Sequence, residues 1–212
     1  MASNNDEPLT PKNVYIVGAH STGKTTLLEA LKQRFTPGLV SEIFGPGTKG
    51  PEFIDELVRM VMYMKSYDAS DIRDPVRGYQ LQLHTLWTQY EMESVFHHLW
   101  IFSDRSGLDP IVYAHVFLGS DESNRLLEMS EWDLLRRRMR NGLVILCEPS
   151  NTTWLSSDPV RVALHKGEWM VLAEAFRSML QEQGIRFVAI PADMENLEHR
   201  VQFVEGLIRS GF

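Results

Sequence analysis

The chain reads as an α/β protein with a parallel sheet covered by helices on both faces. Three observations predict this. Short apolar runs of strand length alternate with longer stretches of helical spacing. A glycine-rich turn stands between the first such run and the helix that follows it. The length of 212 residues, with 43% hydrophobic and 23% charged residues, suits one α/β domain with a sizeable core and is short for two.

Taken in order, residues 1–12 are polar, acidic and proline-containing, and read as a flexible tail without the apolar segment of a signal peptide. Residues 13–212 read as a single domain. Val14 to Val17 is a β-branched and aromatic run, hence a buried strand. A helix follows with Leu27, Leu28 and Leu31 on one side, stopped by Thr36-Pro37-Gly38. Leu39-Val40 then starts a second strand that ends near Glu42, and Ile43 to Pro51, rich in Gly and Pro, reads as a functional loop. Phe53 to Met64 can form an amphipathic helix, with Met60, Met62 and Met64 as core filler. Ser66 to Arg77 is polar and reads as a loop. Gly78 to Trp100 lacks proline and reads as a long helix buried on the side of Leu83, Leu86, Tyr90 and Val95. Its Gln82, Gln89 and Glu93 fall on neighbouring turns and can line one face.

Leu99 to Phe102 is the third strand, stopping at Ser103-Asp104-Arg105-Ser106. Helices are expected over Pro110 to Leu118 and Ser123 to Arg140, and the fourth strand over Leu143 to Cys147. Asn151 to Pro159 is a loop holding Trp154. Val160 to Gln183 is mostly helical and ends at Gly184. Ile185 to Ile190 is the last strand, and Leu197 to Arg209 the closing helix.

The glycine-rich turn carries the chemistry. Gly18-Ala19-His20-Ser21-Thr22-Gly23-Lys24-Thr25 fits G-x-x-x-x-G-K-[ST], the phosphate-binding P-loop, in the required strand–turn–helix context. Gly18 and Gly23 let the backbone curl until several N–H groups, those of Ala19 to Thr26, converge on one centre. The helix starts there, so its unpaired N–H groups and positive dipole end face a bound phosphate. Lys24 supplies mobile positive charge, and the Thr25 hydroxyl is placed to bind Mg²⁺. The motif points to a nucleoside triphosphate, without saying what is done with it.

Such a site needs an acid near the metal, at the carboxyl end of a neighbouring strand. Asp104 is the candidate, as catalytic residue and metal ligand. Arg105 would point into the same crevice and clamp a phosphate or an acceptor, with Ser106, Asp109 and Tyr113 completing the wall. Glu42, at the end of the expected second strand, could accept a proton from or hold a substrate hydroxyl. Gln89 joins Arg105, Asp109 and Glu42 as a candidate substrate contact. Asp158-Pro159-Val160-Arg161 follows the fourth strand, and Arg161 is the candidate lid arginine over the transferring phosphoryl group. Arg136 to Arg140 is a basic run at a helix C-terminus, where the dipole favours it, and reads as a solvated face. His97-His98 lacks a zinc pattern, and Cys147, the one cysteine, reads as a small core residue.

These motifs together resemble the P-loop kinase-like ATPases related to the nicotinamide riboside kinase domain, and more widely the thymidylate and deoxynucleoside kinases. The likeness runs from Gly18 to Leu27, through Gln82 to Glu93 and Asp104-Arg105-Ser106 with Asp109 and Tyr113. It continues over Trp154, Asp158 to Arg161, Gly184 to Pro191 and Asn196 to Arg200. It implies the three-layer P-loop NTPase fold with sheet order 2-3-1-4-5, which periodicity alone does not give. Two departures stand out: the lid segment has Pro159 where the family has Gly, and Ile43-Phe44-Gly45 follows Glu42 where the family has a small residue and an arginine.

The expected function is an ATP- and Mg²⁺-dependent phosphotransferase acting on a hydroxyl of a small acceptor, a nucleoside, nucleotide or related metabolite. The alternatives are a nucleotide-binding regulatory ATPase or adaptor without such a substrate, and a polynucleotide 5′-hydroxyl kinase using the Arg136 to Arg140 run. The net charge of -7 argues against a nucleic-acid partner. No Asn-Lys-x-Asp run for guanine exists. No run approaches membrane-spanning length, so no membrane partner is expected. A single cysteine suits a reducing, cytoplasmic setting, and a homodimer is compatible with the reading.

Overall fold

The computed structural model describes residues 9–149 and 165–212. It is built on a five-stranded parallel sheet of β1 (Val14–Val17), β2 (Glu52–Ile54), β3 (Ile101–Asp104), β4 (Leu143–Cys147) and β5 (Val188–Ile190), in the order β2-β3-β1-β4-β5. The order is the one the resemblance implied. β1 is central, with Val14 beside Phe102 of β3 and Leu143 of β4. Parallel neighbours need crossovers, and helices supply them on both faces.

The pleat divides the apolar residues between two cores. Val14 and Ile16 face one layer with α1 (Lys24–Arg34), α2 (Pro37–Phe44) and α9 (Leu197–Arg209). Tyr15 and Val17 face the other, made by α3 (Leu57–Lys65), α4 (Arg77–Val95), α5 (Leu108–Phe117), α6 (Ser120–Leu127), α7 (Ser130–Asn141) and α8 (Lys166–Glu182). No helix among the described residues is long and apolar enough to cross a membrane.

Several elements differ from expectation. The segment after Pro37 is helix α2, not a strand. Thr36 caps it by accepting from the Leu39 N–H, and Pro37 stands in the first turn, where its missing N–H costs nothing. Val40 and Phe44, four residues apart, bury one face against Trp100 and the α1 layer. The second strand instead comes from Glu52–Ile54, inside the stretch expected to be one helix from Phe53. The helix proper starts at Leu57. Of its three methionines only Met62 is buried; Met60 and Met64 are exposed.

The polar segment after Ser66 contains a short 3₁₀ turn, Ala69–Arg73, closed by a capping box between Asp68 and Asp71. The stretch from Ser123 is two helices, α6 and α7. In α4 the buried face carries Gln82, Gln89 and Glu93, whereas Val95 is exposed. Glu93 accepts from the Tyr15 hydroxyl at 3.0 Å, so this polar face is inside because β1 and β3 supply its partners.

Candidate functional site

The P-loop leaves β1 and curls into α1. Gly18 (φ 132°) passes so close to β4 that a Cβ there would fall 2.4 Å from the Cys147 carbonyl oxygen, so only glycine fits. Gly23 (φ 80°) is the N-cap of α1, whose first turn leaves its N–H groups aimed at the loop. The Thr22 hydroxyl donates to the Ala19 carbonyl at 2.9 Å. From behind, the Arg200 guanidinium of α9 donates to the Thr22 carbonyl at 3.0 Å, and the Trp169 indole of α8 donates to the His20 carbonyl at 2.8 Å.

Lys24 is buried, and its ammonium donates to the Ala19 carbonyl at 2.6 Å. Burial, with the Arg105 charge adding to it, pulls its pKa down to about 8. An anion in the loop would supply the missing counter-charge. The Thr25 hydroxyl donates to Asp104 Oδ2 at 2.5 Å. Asp104 ends β3, the neighbour of β1, and Oδ1 is buried with no partner. Burial raises its pKa against the pull of Lys24 and Arg105. A hydroxyl and an orphaned carboxylate oxygen side by side are hard oxygen donors, and they fit Mg²⁺.

Arg105 has φ 81°, outside the usual range for a side chain of its size, and its N–H continues the sheet ladder to the Ile16 carbonyl at 2.9 Å. Its guanidinium meets Glu56 at 2.7 Å from Nε and 2.5 Å from Nη2, and Asp109 at 3.3 Å from Nη1. Its plane lies 5.5 Å from the Tyr113 ring centroid. Burial would raise the Glu56 pKa, but the Arg105 charge and a hydrogen bond from Arg59 hold it well below the usual carboxylate range. Asp109 accepts the Ser106 N–H at 2.8 Å and hydroxyl at 3.0 Å, and burial pushes its pKa up to about 6 against the pull of Arg105. The Tyr113 hydroxyl completes the set, 3.2 Å from His20 Nδ1.

These residues wall a cleft of about 590 Å³, counted out to its open mouth, beside the P-loop. His20, from the P-loop itself, lines it together with Arg105, Glu56, Asp109 and Gln82. Its floor is apolar, from Met62, Ile72 and Leu81.

Two expected contacts lie elsewhere. Glu42 sits on α2, in the layer across the sheet from the cleft, and pairs with Arg209 of α9 at 2.9 Å. The reason is the α2 helix: the second strand is a later segment, and the carboxylate beyond its end is Glu56. Gln89 is buried, but its amide is spent on Glu93 at 2.9 Å and on Ser103 at 3.2 Å, which tie α4 to β3. Gln82, two turns earlier, is the glutamine that lines the cleft. Trp154, Asp158 and Arg161 lie outside the described residues.

The basic run is tied down in part, with Arg136 on Asp133 at 2.6 Å, Arg138 near Glu93 at 3.6 Å and Arg140 on the Gln183 carbonyl at 3.0 Å. Sequence reasoning missed Glu56 and Arg200. A three-residue strand shows too little alternation to expose the first, and nothing local marks a helix arginine that reaches a distant carbonyl.

A family model described as an AAA domain matches residues 13–200. No curated protein matches the chain. Among solved structures, deoxyadenosine kinase from M. mycoides is similar at a TM-score of 0.65 and 15% identity, covering 93% of this chain and 99% of that one. The NadR protein in complex with NR is similar at 0.64 and 18%, covering 92% of this chain and 51% of that one, so the chain spans about half of NadR. Thymidylate kinase from Ehrlichia chaffeensis is similar at 0.53 and 12%, covering 93% and 98%. At these identities the likeness is one of fold.

Proposed function

The chain belongs to this AAA-domain family, and from that premise we propose that it is a P-loop phosphotransferase that moves the γ-phosphoryl group of ATP to a hydroxyl of a small acceptor. One observation carries the reading: a cleft walled by Glu56, Arg105, Asp109 and Tyr113 opens directly beside the P-loop and shares His20 with it. A nucleotide switch or adaptor has no need of that second chamber. The kinase folds above agree with it.

In this reading the N–H groups of Ala19 to Thr26 and the Lys24 ammonium hold the β- and γ-phosphates. Lys24 leaves its place on the Ala19 carbonyl for the γ-phosphoryl oxygens as charge builds there. Thr25 and Asp104 would hold Mg²⁺, which when bound neutralises charge on the phosphate oxygens. Arg105, locked by Glu56 and Asp109, fixes the wall between donor and acceptor. The Glu56 carboxylate, kept ionised by Arg105, accepts a hydrogen bond from the acceptor hydroxyl and aims it at phosphorus. The new O–P bond forms as the bond from the γ-phosphorus to the β,γ-bridging oxygen breaks, ADP leaves with that oxygen, and the hydroxyl proton passes to a carboxylate or water. A loose transition state asks for such positioning more than for a strong base. Arg161 remains the proposed lid arginine. Residues 13–212 are taken as one catalytic unit, in a reducing, cytoplasmic setting.

Lys24→Ala tests the reading. We expect loss of ADP formation by a factor of about 10³ or more and weakened ATP binding, while far-ultraviolet circular dichroism is unchanged. Turnover at the wild-type rate in that variant would sink the assignment.

A further inference from the structure

We propose that Arg200 is a positioning residue for the triphosphate: from the back of the P-loop it locks the Thr22–Gly23 peptide with the Gly23 N–H turned toward the phosphates, and it lends the site a positive charge. Its part in turnover rests on the phosphotransferase reading; its part in binding rests on the P-loop alone.

The first support is the geometry of one peptide unit. Gly23 stands at φ 80°. Glycine takes positive and negative φ with similar ease, so local stereochemistry does not decide which way the Thr22–Gly23 peptide faces. The peptide is trans, so its C=O and N–H point to opposite sides. The Arg200 guanidinium draws the Thr22 carbonyl outward with a hydrogen bond of 3.0 Å, and the Gly23 N–H is thereby turned into the loop. Without that bond a flip of the unit would set a carbonyl oxygen against the phosphates, where an N–H is needed. Two neighbouring carbonyls are also taken. Ala19 accepts from the Lys24 ammonium and the Thr22 hydroxyl, both within the P-loop segment, and His20 accepts from the neutral Trp169 indole. Arg200 is a charged donor brought to the loop by a distant helix.

The second support is that this charge stands in an unfavourable place. Arg200 is 4% exposed, and its Nε is buried with no hydrogen-bond partner. It is the fourth residue of α9, and helical side chains lean toward the N-terminus, where the dipole is already positive. Acids of the same helix are engaged elsewhere: Glu198 accepts from Gln202, and Glu205 pairs with Arg34 and Arg209. Beside the guanidinium lies the Cys147 thiol, whose pKa burial raises against the pull of Arg200. A neutral donor would hold the Thr22 carbonyl without burying a charge. A polyphosphate seated in the loop supplies the counter-charge that Arg200 lacks, so the charge is useful when nucleotide is bound.

The experiment uses the full chain with two variants. Arg200→Met removes both charge and hydrogen bond; Arg200→Gln keeps a donor for the Thr22 carbonyl but no charge. Three quantities are read: the urea midpoint without nucleotide, the Kd of a non-hydrolysable ATP analogue with Mg²⁺ by calorimetry, and the displacement of the Gly23 amide proton signal when the analogue is added, by NMR. In both variants we expect a nucleotide-free midpoint equal to wild type or higher, since an unpaired buried charge has been removed. The analogue should bind about tenfold more weakly or worse in Arg200→Met, with the Gly23 displacement largely lost, and about threefold more weakly or worse in Arg200→Gln.

A Gly23 displacement in Arg200→Met as large as in wild type overturns the inference, as does a loss of less than about threefold in Arg200→Gln. A nucleotide-free midpoint lowered in both variants would make Arg200 a brace of the fold and overturns it too. Should Arg200→Met not fold, Arg200→Gln decides by its Kd. Failure of the phosphotransferase reading is a separate result: the wild-type chain would bind the analogue and form no ADP in response to any acceptor.

Discussion

Arg105 spends conformational energy to stand where it does. A non-glycine residue at φ 81° costs about 1–3 kcal/mol, held in place here by its ladder bond to Ile16 and by Glu56 and Asp109. Asp109 shows the other side of that arrangement. Its folded pKa of about 6 exceeds the value of about 4 expected for the unfolded chain. The folded state therefore binds the proton more tightly. The stabilisation from protonated Asp109 is complete below pH about 4 and is lost as pH rises through about 6. The groups facing it are Arg105, Lys24 and Ser106. Asp109→Asn cannot titrate, so we expect the stability of wild type relative to this variant to fall between pH 4.5 and 7.5, measured as the difference in urea midpoints. A constant difference across that range refutes the assignment. At this scale Lys24, Thr25, Asp104, Arg105 and Asp109 were legible because each is fixed within a few residues of a motif or strand end. Glu56 was not, because its place beside Arg105 comes from what packs opposite it, and the sequence offered Gln82 and Gln89 on one face without telling which of them lines the cleft.

At the scale of elements, α2 is the instructive case. Thr36-Pro37 is an N-cap followed by an N1 proline, and Leu39/Ile43 and Val40/Phe44 are i,i+4 pairs, so the helix was present in the sequence. Reading Leu39-Val40 as a strand overlooked that spacing and carried Glu42 to the wrong side of the sheet with it. Thr36→Ala should remove the cap and cost about 1 kcal/mol, seen as a lower urea midpoint. Acceptor KM should stay as in wild type, since α2 lies across the sheet from the cleft. A change in acceptor KM beyond twofold would place α2 at the site after all. The opposite lesson comes from β2, whose three residues pair with β3 and give no period of their own. Pairing with β3, not propensity, makes that segment a strand.

For the whole molecule, the P-loop is assembled from both layers: Cys147 of β4 crowds Gly18, Arg200 of α9 holds Thr22, and Trp169 of α8 holds His20. A ligand seated there should stabilise the entire fold. With ATP at 100 times its Kd the gain is about 2.7 kcal/mol, read as a rise in melting temperature that Lys24→Ala largely abolishes. An equal rise in that variant would show that nucleotide binds elsewhere. The sequence by itself determined the α/β class, the P-loop and the acid–arginine pair after β3, because local periodicity and short-range stereochemistry are written in neighbouring residues. The family likeness added the strand order. Only the tertiary structure decided that Glu56 rather than Glu42, and Gln82 rather than Gln89, lines the cleft beside the P-loop. Burial and pairing of a side chain depend on residues distant in the chain, and one helix in place of a strand moves its carboxylate to the other face of the sheet.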